Sequence, residues 1–297
     1  MGLPDQDHRR TRMRRPGCCA SPACPGGRGR GKDLHDLPAR LHRSVLRRFR
    51  EERESKFELA DRGITTTEVQ REGCYYDVFE LTSAGRAPVR VVSAQATDQG
   101  GQPTAAVTRD LLSMFRPTLI LLVGVFGGFG GFGERGVSLG DVLLAREVFD
   151  YTPEKMRPEG GGLRPRVYRT DEQLLRLVTK LDTRGRLDAS LEGHQLLVND
   201  FASSEKVIAW QGSELRARLL ALSADVGGVE TEAHGVLHAI WEAFKAKEFV
   251  GGAMLKCVSD LGDEEMAVDK KAKQTEAARR AARVALDIAG AFRRSDE

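Results

Sequence analysis

The sequence predicts an α/β fold built on a mainly parallel sheet. Short apolar runs typical of strands alternate with helix-compatible segments along most of the chain, and this alternation is characteristic of parallel sheets. The run 119–123 (Leu-Ile-Leu-Leu-Val) is continuously apolar, as expected for a central strand covered on both faces. Residues 278–292 place apolar side chains on one face of a predicted closing helix. Sheets of this class bind ligands beyond the carboxyl ends of their strands.

The remaining elements follow from periodicity, from Pro and Gly positions and from β-rich composition. We predict a disordered basic leader at 1–36, a charged helical segment at 37–73 and one domain at 74–297. Within that domain, the predicted strands are 75–81, 89–92, 141–149, 195–198 and a run that ends at Asp260. The predicted helices are 104–115, 171–182, 204–222 and 233–247.

Charge is distributed unevenly along the chain. Residues 1–56 hold 15 Lys and Arg against 7 Asp and Glu, a net charge of +8, whereas residues 57–297 have a net charge of −5. The basic leader is compatible with contacts to nucleic acid, but a solvated tail explains it as well, and no stacking aromatics interleave with it. The sequence contains no signal-peptide core and no run near the roughly 20 apolar residues of a membrane helix. We therefore predict a cytoplasmic protein without a membrane or nucleic-acid partner.

The five cysteines argue against a disulfide framework and a zinc site. Their odd number and uneven spread favour a reducing compartment. Cys18, Cys19 and Cys24 lack the spacing of paired zinc ligands. His234 and His238 lie one helical turn apart, as in a metal pair, but no third ligand accompanies them at a telling distance. We therefore predict neither a metal nor a cofactor.

Two C-terminal segments carry the strongest functional signal. Residues 229–235 (Val-Glu-Thr-Glu-Ala-His-Gly) and 254–260 (Met-Leu-Lys-Cys-Val-Ser-Asp) each end an apolar run with carboxylates. Ionised carboxylates are rarely buried without partners, so Glu230, Glu232 and Asp260 either cap helices or contact a ligand. For one acid alone, helix capping is the simpler interpretation. Three acids together strengthen the case for a ligand site.

A glycine tract follows the predicted central strand. Residues 128–133 (Gly-Phe-Gly-Gly-Phe-Gly) satisfy G-x-G-x-x-G, which suggests dinucleotide binding. That motif must open a helix, whereas residues 134–141 lead to another predicted strand, so a nicotinamide cofactor is not expected. Glycines here instead let the backbone approach a ligand closely. The alternative interpretation is a glycine-rich turn.

Four blocks resemble the purine nucleoside phosphorylase and nucleosidase superfamily, in particular the methylthioadenosine/S-adenosylhomocysteine nucleosidases. Val-Glu-Thr-Glu at 229–232 is similar to the superfamily's Val-Glu-Met-Glu, and Val-Ser-Asp at 258–260 to its Ile-Ser-Asp. The apolar run and glycines at 119–128, followed by Leu-Gly-Asp-Val at 139–142, resemble its strand-Gly-x-x-Gly-Gly and Leu-Gly-Asp-Val. A weaker match joins 199–205 to the segment that carries a base-stacking aromatic.

The resemblance implies a three-layer α/β/α sandwich with a mainly parallel, mixed central sheet. It also implies roles for the acids: Asp260 would be the general acid for purine N7, Ser259 would orient it, and Glu232 would accept hydrogen bonds from the ribose hydroxyls. Burial raises the pKa of a carboxyl group, as proton donation requires. Thr231 stands where the superfamily has methionine, which implies a different sugar fit. The expected substrate contacts are Val125, Phe126, Gly127, Phe201, Glu230, Thr231 and Glu232.

The role expected of Phe201 is to stack on the base, and a core phenylalanine is the equal alternative. Residues 150–169 predict a basic loop. Lys155 and Arg157 in this loop resemble positions of superfamily nucleosidases that act on adenine nucleotides, which implies contacts to a 5′-phosphate. A solvated loop, partly balanced by Glu154 and Glu159, is the alternative.

Hydrolysis of a purine nucleoside or nucleotide, with adenine as the expected base, is the activity that the resemblance implies. Phosphorolysis is the alternative among enzymes, and a non-catalytic nucleoside-sensing module is the alternative from another class. The sensing alternative arises because residues 1–73 contain no recognisable first strand with a water-activating carboxylate. The lack of phosphate-loop glycines there favours hydrolysis over phosphorolysis. The superfamily's assemblies imply a homo-oligomer.

Overall fold

One large sheet organises the part of the chain that the structure describes. The structure is a computed structural model. It describes residues 42–47, 52–71, 74–82, 87–129, 136–155, 161–206, 208, 212–246, 250–261 and 269–293, which all fall within one compact unit. In chain order, the elements are β1 (His42–Arg47), α1 (Glu52–Asp61), β2 (Thr67–Arg71), β3 (Cys74–Leu81), β4 (Val89–Gln95), α2 (Gly101–Phe115), β5 (Leu119–Gly128), β6 (Val142–Asp150), β7 (Glu154–Lys155), β8 (Gly162–Leu163), β9 (Arg166–Arg169), α3 (Glu172–Thr183), α4 (Asp188–Leu191), β10 (Leu196–Ser203), α5 (Glu214–Leu222), β11 (Val226–Glu230), α6 (Ala233–Lys245), β12 (Gly251–Asp260) and α7 (Lys270–Ala291).

The main sheet is mixed, with parallel pairs at its centre. Its strands follow the order β11-β10-β6-β12-β5-β1-β4-β3-β2, and β9 also pairs with β6. Neighbours β12, β5, β1 and β4 run parallel to one another, whereas β6 runs antiparallel to β12. β10 pairs in parallel with both β6 and β11. Because β11 also pairs with β5, the strands β5, β12, β6, β10 and β11 close into a ring.

Helices cover both faces of this sheet. Leu121 and Val123 of β5 pack with Ala281 and Ile288 of α7 in one buried cluster. On the other face, α6 packs against β12 and α2 packs against α6. Side chains alternate between the two faces along a strand, so one continuous apolar strand serves both helical layers. The predicted three-layer α/β/α sandwich with a mainly parallel, mixed central sheet is confirmed.

Of the charged helical segment predicted at 37–73, the described residues form one helix, α1, between the strands β1 and β2. β1 pairs in parallel with both β4 and β5, with Arg43 opposite Val91 on one side and Leu119 on the other. It is therefore an inner strand, and the expected first strand of the fold exists. The sequence conceals it because His-Arg-Ser-Val-Leu-Arg is not the apolar run that an inner strand normally has. The predicted leader at 1–36 lies outside the described residues.

The predicted helix at 204–222 begins later than expected, and the strand before it is longer. β10 continues to Ser203, and α5 starts only at Glu214. The Ser203 side chain accepts the backbone N–H of His234, and the Glu205 side chain accepts that of Gly101. Such side-chain to backbone hydrogen bonds compete with helix formation by the same residues. Within the described residues, no helix has the length and apolar character that crossing a membrane requires.

Candidate active site

The two acidic segments meet on either side of Gly127. Asp260 of β12 lies opposite Gly127 in one strand pair, and Val229 of β11 lies opposite it in the other. A Cβ atom at this position would stand 3.0 Å from Asp260 Oδ1, so glycine leaves room that a side chain would fill. Strand pairing thus brings Glu230 and Asp260, 30 residues apart in the sequence, to one end of β5.

A buried lysine joins the two glutamates. Lys256 Nζ lies 2.8 Å from Glu230 Oε2 and 2.6 Å from Glu232 Oε2. We call these three residues the Lys256 cluster. Their side chains expose 2 % of their surface or less, and a buried ion is tolerated only when it is paired and hydrogen-bonded. With two carboxylates and one ammonium group, the cluster has a formal charge of −1.

Glu230 anchors the start of α6. Its carboxylate accepts the backbone N–H of Glu232 at 2.9 Å and that of Ala233 at 3.0 Å. The first N–H groups of a helix have no partner within the helix, and a negative charge there is favourable. The capping interpretation therefore applies to Glu230, whereas the side chain of Glu232, the N-cap residue, makes no capping hydrogen bond.

Glu232 is held at three points. Its Oε1 accepts the hydroxyl of Thr231 at 2.6 Å and its Oε2 binds Lys256. Its backbone carbonyl accepts a hydrogen bond from Thr104 of α2 at 3.1 Å. A carboxylate oxygen can accept more than one hydrogen bond, so these contacts are compatible with a further hydrogen bond from a ligand hydroxyl.

Asp260 stands where the buried strand β12 reaches partial exposure. Residues 251–259 are buried and Asp260 is half-buried. The hydroxyl of Ser259 lies 3.3 Å from Asp260 Oδ2 and 3.3 Å from the carbonyl oxygen of Phe126. These contacts tie the acid to β5. The orienting role expected of Ser259 stays a prediction.

The aromatic and apolar contacts differ from the expectation. Phe201 exposes none of its surface and packs edge-on against Phe126, with ring centroids 4.8 Å apart. The core alternative therefore holds for Phe201, and base stacking on it is not available in this structure. Val125 packs in the cluster shared with α7. Of the three expected β5 contacts, Gly127 lies directly beside Asp260.

Sequence reasoning missed two buried polar residues. Lys256 interrupts an otherwise apolar strand, and that interruption was a usable signal because buried lysines need partners. Tyr151 is 1 % exposed and its hydroxyl donates to the carbonyl of Lys206 at 2.7 Å. Burial, and then the negative charge of Glu230, raise the pKa of Tyr151 to about 12. Tyr151 thus remains a neutral donor beside the Lys256 cluster.

The basic loop is only partly described. Lys155 is exposed on β7, which pairs with β8. Its neighbour Glu154 bonds Arg218 of α5 at 2.8 Å. Arg157 lies outside the described residues. Lys155 therefore lies at the surface, on a strand that pairs antiparallel with β8.

The two histidines of α6 have separate partners. His234 contacts Ser203 and Glu205, whereas His238 contacts Tyr168 and Glu242. Among the described residues, no group of three His, Cys, Asp or Glu side chains is arranged to hold a metal ion.

Comparison with solved structures identifies the architecture. The 5′-methylthioadenosine/S-adenosylhomocysteine nucleosidase of Neisseria meningitidis, in complex with methylthio-immucillin-A, matches 84 % of this chain and 99 % of its own, with a TM-score of 0.63 and 19 % identity. The chain has the nucleoside phosphorylase and nucleosidase fold. Futalosine hydrolase of Helicobacter pylori matches 84 % of this chain and 98 % of its own, with a TM-score of 0.63 and 17 % identity.

A third structure with this nucleosidase fold is the 5′-methylthioadenosine/S-adenosylhomocysteine nucleosidase of Colwellia psychrerythraea in complex with adenine. It matches 84 % of this chain and 95 % of its own, with a TM-score of 0.63 and 16 % identity. The sequence matches no protein-family model and no curated protein. The similarity is therefore one of fold, and the activity must be argued from the residues of this chain.

Proposed function

We propose that this chain hydrolyses the N-glycosidic bond of a purine nucleoside or nucleotide, with adenine as the base. The observation that carries the proposal is the pairing of Gly127 with two strands. Asp260 lies opposite Gly127 on one side, and Val229, which precedes Glu230 of the Lys256 cluster, lies opposite it on the other. Two acids in different environments, Asp260 and Glu232, would then contact the same small ligand. Asp260 is partly exposed and has a hydroxyl neighbour, whereas Glu232 is buried and already bonded to a cation.

The chemistry of the bond requires both kinds of acid. Cleavage develops positive charge on the sugar and negative charge on the departing base. As the bond between C1′ of the ribose and the purine nitrogen breaks, Asp260 would donate a proton to N7 of the purine, so that the base leaves without negative charge. A water molecule would add to C1′ and release a proton to solvent. Ser259, bonded to Asp260, would orient that carboxyl group. The enzyme stabilises the transition state by interactions that strengthen as charge develops.

Glu232 would meet the sugar. Lys256 neutralises one of the two buried carboxylates, so the cluster has a formal charge of −1 and attracts a ribosyl cation more strongly than a neutral ribose. Glu232 would accept hydrogen bonds from the ribose hydroxyls. Glu230 acts on the sugar only through Lys256 and α6, since its oxygens already accept two backbone N–H groups.

Two further observations support an enzyme rather than a sensing module. The sensing alternative arose from the missing first strand and its missing carboxylate. β1 occupies the strand's position between β4 and β5, although its residues His-Arg-Ser-Val-Leu-Arg include no carboxylate. Two of the solved structures with this fold are complexes with adenine and with methylthio-immucillin-A. The expectations of a cytoplasmic location, of homo-oligomers and of a 5′-phosphate contact at Lys155 stay predictions.

The test is release of free base, measured by chromatography. The purified chain would be incubated with adenosine, methylthioadenosine, S-adenosylhomocysteine, inosine, AMP and ATP, each with and without phosphate. We expect release of adenine from at least one of the adenine compounds in the absence of phosphate. Release only with phosphate would replace hydrolysis by phosphorolysis, and no release from any compound would reject the enzymatic proposal in favour of sensing.

A further inference from the structure

His234 joins three elements of the chain next to the proposed sugar site. Its backbone N–H donates to Ser203 Oγ at 2.9 Å, and its ring Nδ1 lies 2.9 Å from the same oxygen. Its ring Nε2 lies 3.4 Å from Glu205 Oε1. Ser203 ends β10, Glu205 follows in the next turn, and His234 is in the first turn of α6. One side chain therefore ties the end of β10 to the start of α6.

The Glu205 carboxylate also reaches the start of α2. Its Oε1 accepts the backbone N–H of Gly101 at 2.8 Å, and the residue at the N-cap of α2, Gly100, has no side chain that could do so. The His234 ring lies against Gly101 so closely that a Cβ atom there would overlap it, and a Cβ at Gly235 would overlap the Gly101 carbonyl. The first turns of α2 and α6 thus meet through two glycines and one imidazole.

The contacts of the imidazole favour one tautomer. Because Nε2 faces the Glu205 carboxylate, the ring hydrogen is best placed there, and Nδ1 then accepts the Ser203 hydroxyl. The Ser-His-Glu sequence of contacts resembles a hydrolytic triad. However, Ser203 exposes none of its surface and its oxygen already accepts a backbone N–H. A positioning role fits these contacts, whereas a nucleophile would need access to substrate.

We propose that His234 is a positioning residue that fixes Glu232 for its contact with the ribose, an inference that rests on the proposed function. Glu232 directly precedes α6, and α2 holds the same segment from its own first turn. Thr104 donates to the Glu232 carbonyl at 3.1 Å, and Gln99 donates to the Thr231 hydroxyl at 3.1 Å. By holding α2 and α6 together, His234 determines where the carboxylate stands.

Three variants test the role of His234 in turnover. H234A removes both ring contacts, and H234N keeps an acceptor oxygen near the place of Nδ1. The matched control is H238A, since His238 lies one turn further along α6 and contacts Tyr168 instead. A displacement of about 1 Å in a catalytic contact costs about 100-fold in rate. We expect kcat/KM of H234A to fall about that much, mainly in kcat, with partial recovery in H234N and a wild-type value in H238A.

A double variant tests whether His234 and Glu205 act as one unit. If they do, H234A/E205Q loses no more kcat/KM than H234A alone, because residues in one network are not additive. Independent, multiplying losses would contradict the proposed link between α6 and α2. So would wild-type kcat/KM in H234A.

Amide hydrogen exchange tests the junction without any turnover. H234A should speed exchange at residues 101 and 234, whose N–H groups bond Glu205 and Ser203, and H238A should not. If the wild type releases no base, the proposed function fails. The exchange result then shows by itself whether His234 holds the first turns of α2 and α6 together. Unchanged exchange at both amides of H234A would overturn the inference.

Discussion

Two ionic clusters of this chain differ in burial and, we infer, in purpose. The Lys256 cluster lies where side chains expose 2 % of their surface or less. On α7, the Arg280 side chain is 3 % exposed, but its partners Glu192 and Glu276 are 45 % and 67 % exposed. The second cluster, here the α7 network, comprises Arg62, Arg280 and Arg283 with Glu58, Glu192, Glu276 and Asp287.

The comparison teaches that burial, more than the number of ion pairs, indicates function. Pairs with a solvent-exposed partner contribute about 0.2–1 kcal/mol each, so the pairs of Arg280 with Glu192 and Glu276 add modestly to the packing of α4 on α7. Burying ions costs several kcal/mol per ion before their attraction offsets it. An apolar trio would fill the site of the Lys256 cluster at lower cost, and charged groups retained in such a place indicate a functional site.

Removal of Lys256 should have the largest effect. K256M leaves two buried carboxylates without their cation, and we expect the free energy of unfolding to fall by about 3–5 kcal/mol. Urea denaturation at neutral pH measures it. The control K256R keeps the charge and should lose less. A loss in K256M below about 1 kcal/mol would remove the distinction between the two clusters.

Tyr151 should make stability fall steeply at high pH. Its pKa is about 10 in the unfolded chain and is raised to about 12 in the fold by burial and then by Glu230. The stability present below pH 10 is lost between pH 10 and about 12, because only the unfolded state ionises there, at about 1.4 kcal/mol per pH unit. Y151F should show a shallower decline in urea titrations.

The control for Tyr151 is Y75F, since Tyr75 is 59 % exposed. Its decline with pH should match that of the wild type. Equal slopes in Y151F and the wild type would contradict the influence of the buried cluster on Tyr151.

Removal of an α7 arginine should have a small, salt-sensitive effect. Arg283 is 19 % exposed and contacts Glu192, which is 45 % exposed, and Glu58, which is 7 % exposed. Because the arginine and one partner still reach solvent, we expect R283M to lower the free energy of unfolding by only about 1 kcal/mol. Salt screens solvent-exposed charges. In denaturation experiments at high salt, the loss of free energy of unfolding in R283M should therefore shrink, whereas the loss in K256M should persist. A salt-independent loss in R283M would show that the α7 network behaves as a buried one.

The smallest expected effect is that of Lys155. If Lys155 contacts a 5′-phosphate, K155A should lower turnover of AMP about 2- to 5-fold, the value of an exposed charge pair, and leave adenosine turnover unchanged. K180A, at an exposed lysine of α3, is the control. Equal losses on AMP and adenosine in K155A would discard the phosphate contact.

The sequence predicted elements whose physics is local. The apolar run of β5 and the amphipathic face of α7 follow from residue type and spacing, and both agree with the structure. β1 could not be recognised from the sequence. Its inner position depends on hydrogen bonds to β4 and β5, and its basic sequence lacks the apolar pattern that usually indicates an inner strand. Tertiary pairing outweighs local composition in strands.

The same division holds for the site. Glu230, Glu232 and Asp260 could be selected from the sequence as candidates because carboxylates at the ends of apolar strands are unusual. Their separate contacts could not be predicted, since capping by Glu230 and pairing with Lys256 depend on where α6 begins in space. Phe201 illustrates the limit, because its place in the motif suggested stacking and its strand buries it fully.

The most direct test of the proposed function compares binding with turnover in D260N. Calorimetry with adenosine measures binding, and chromatography measures adenine release. Asp61, exposed at the end of α1, supplies the control variant D61N. We expect D260N to retain adenosine binding and to lose about 10²- to 10⁴-fold in adenine release, and D61N to match the wild type in both. Wild-type release by D260N would contradict the assignment of Asp260 as the general acid.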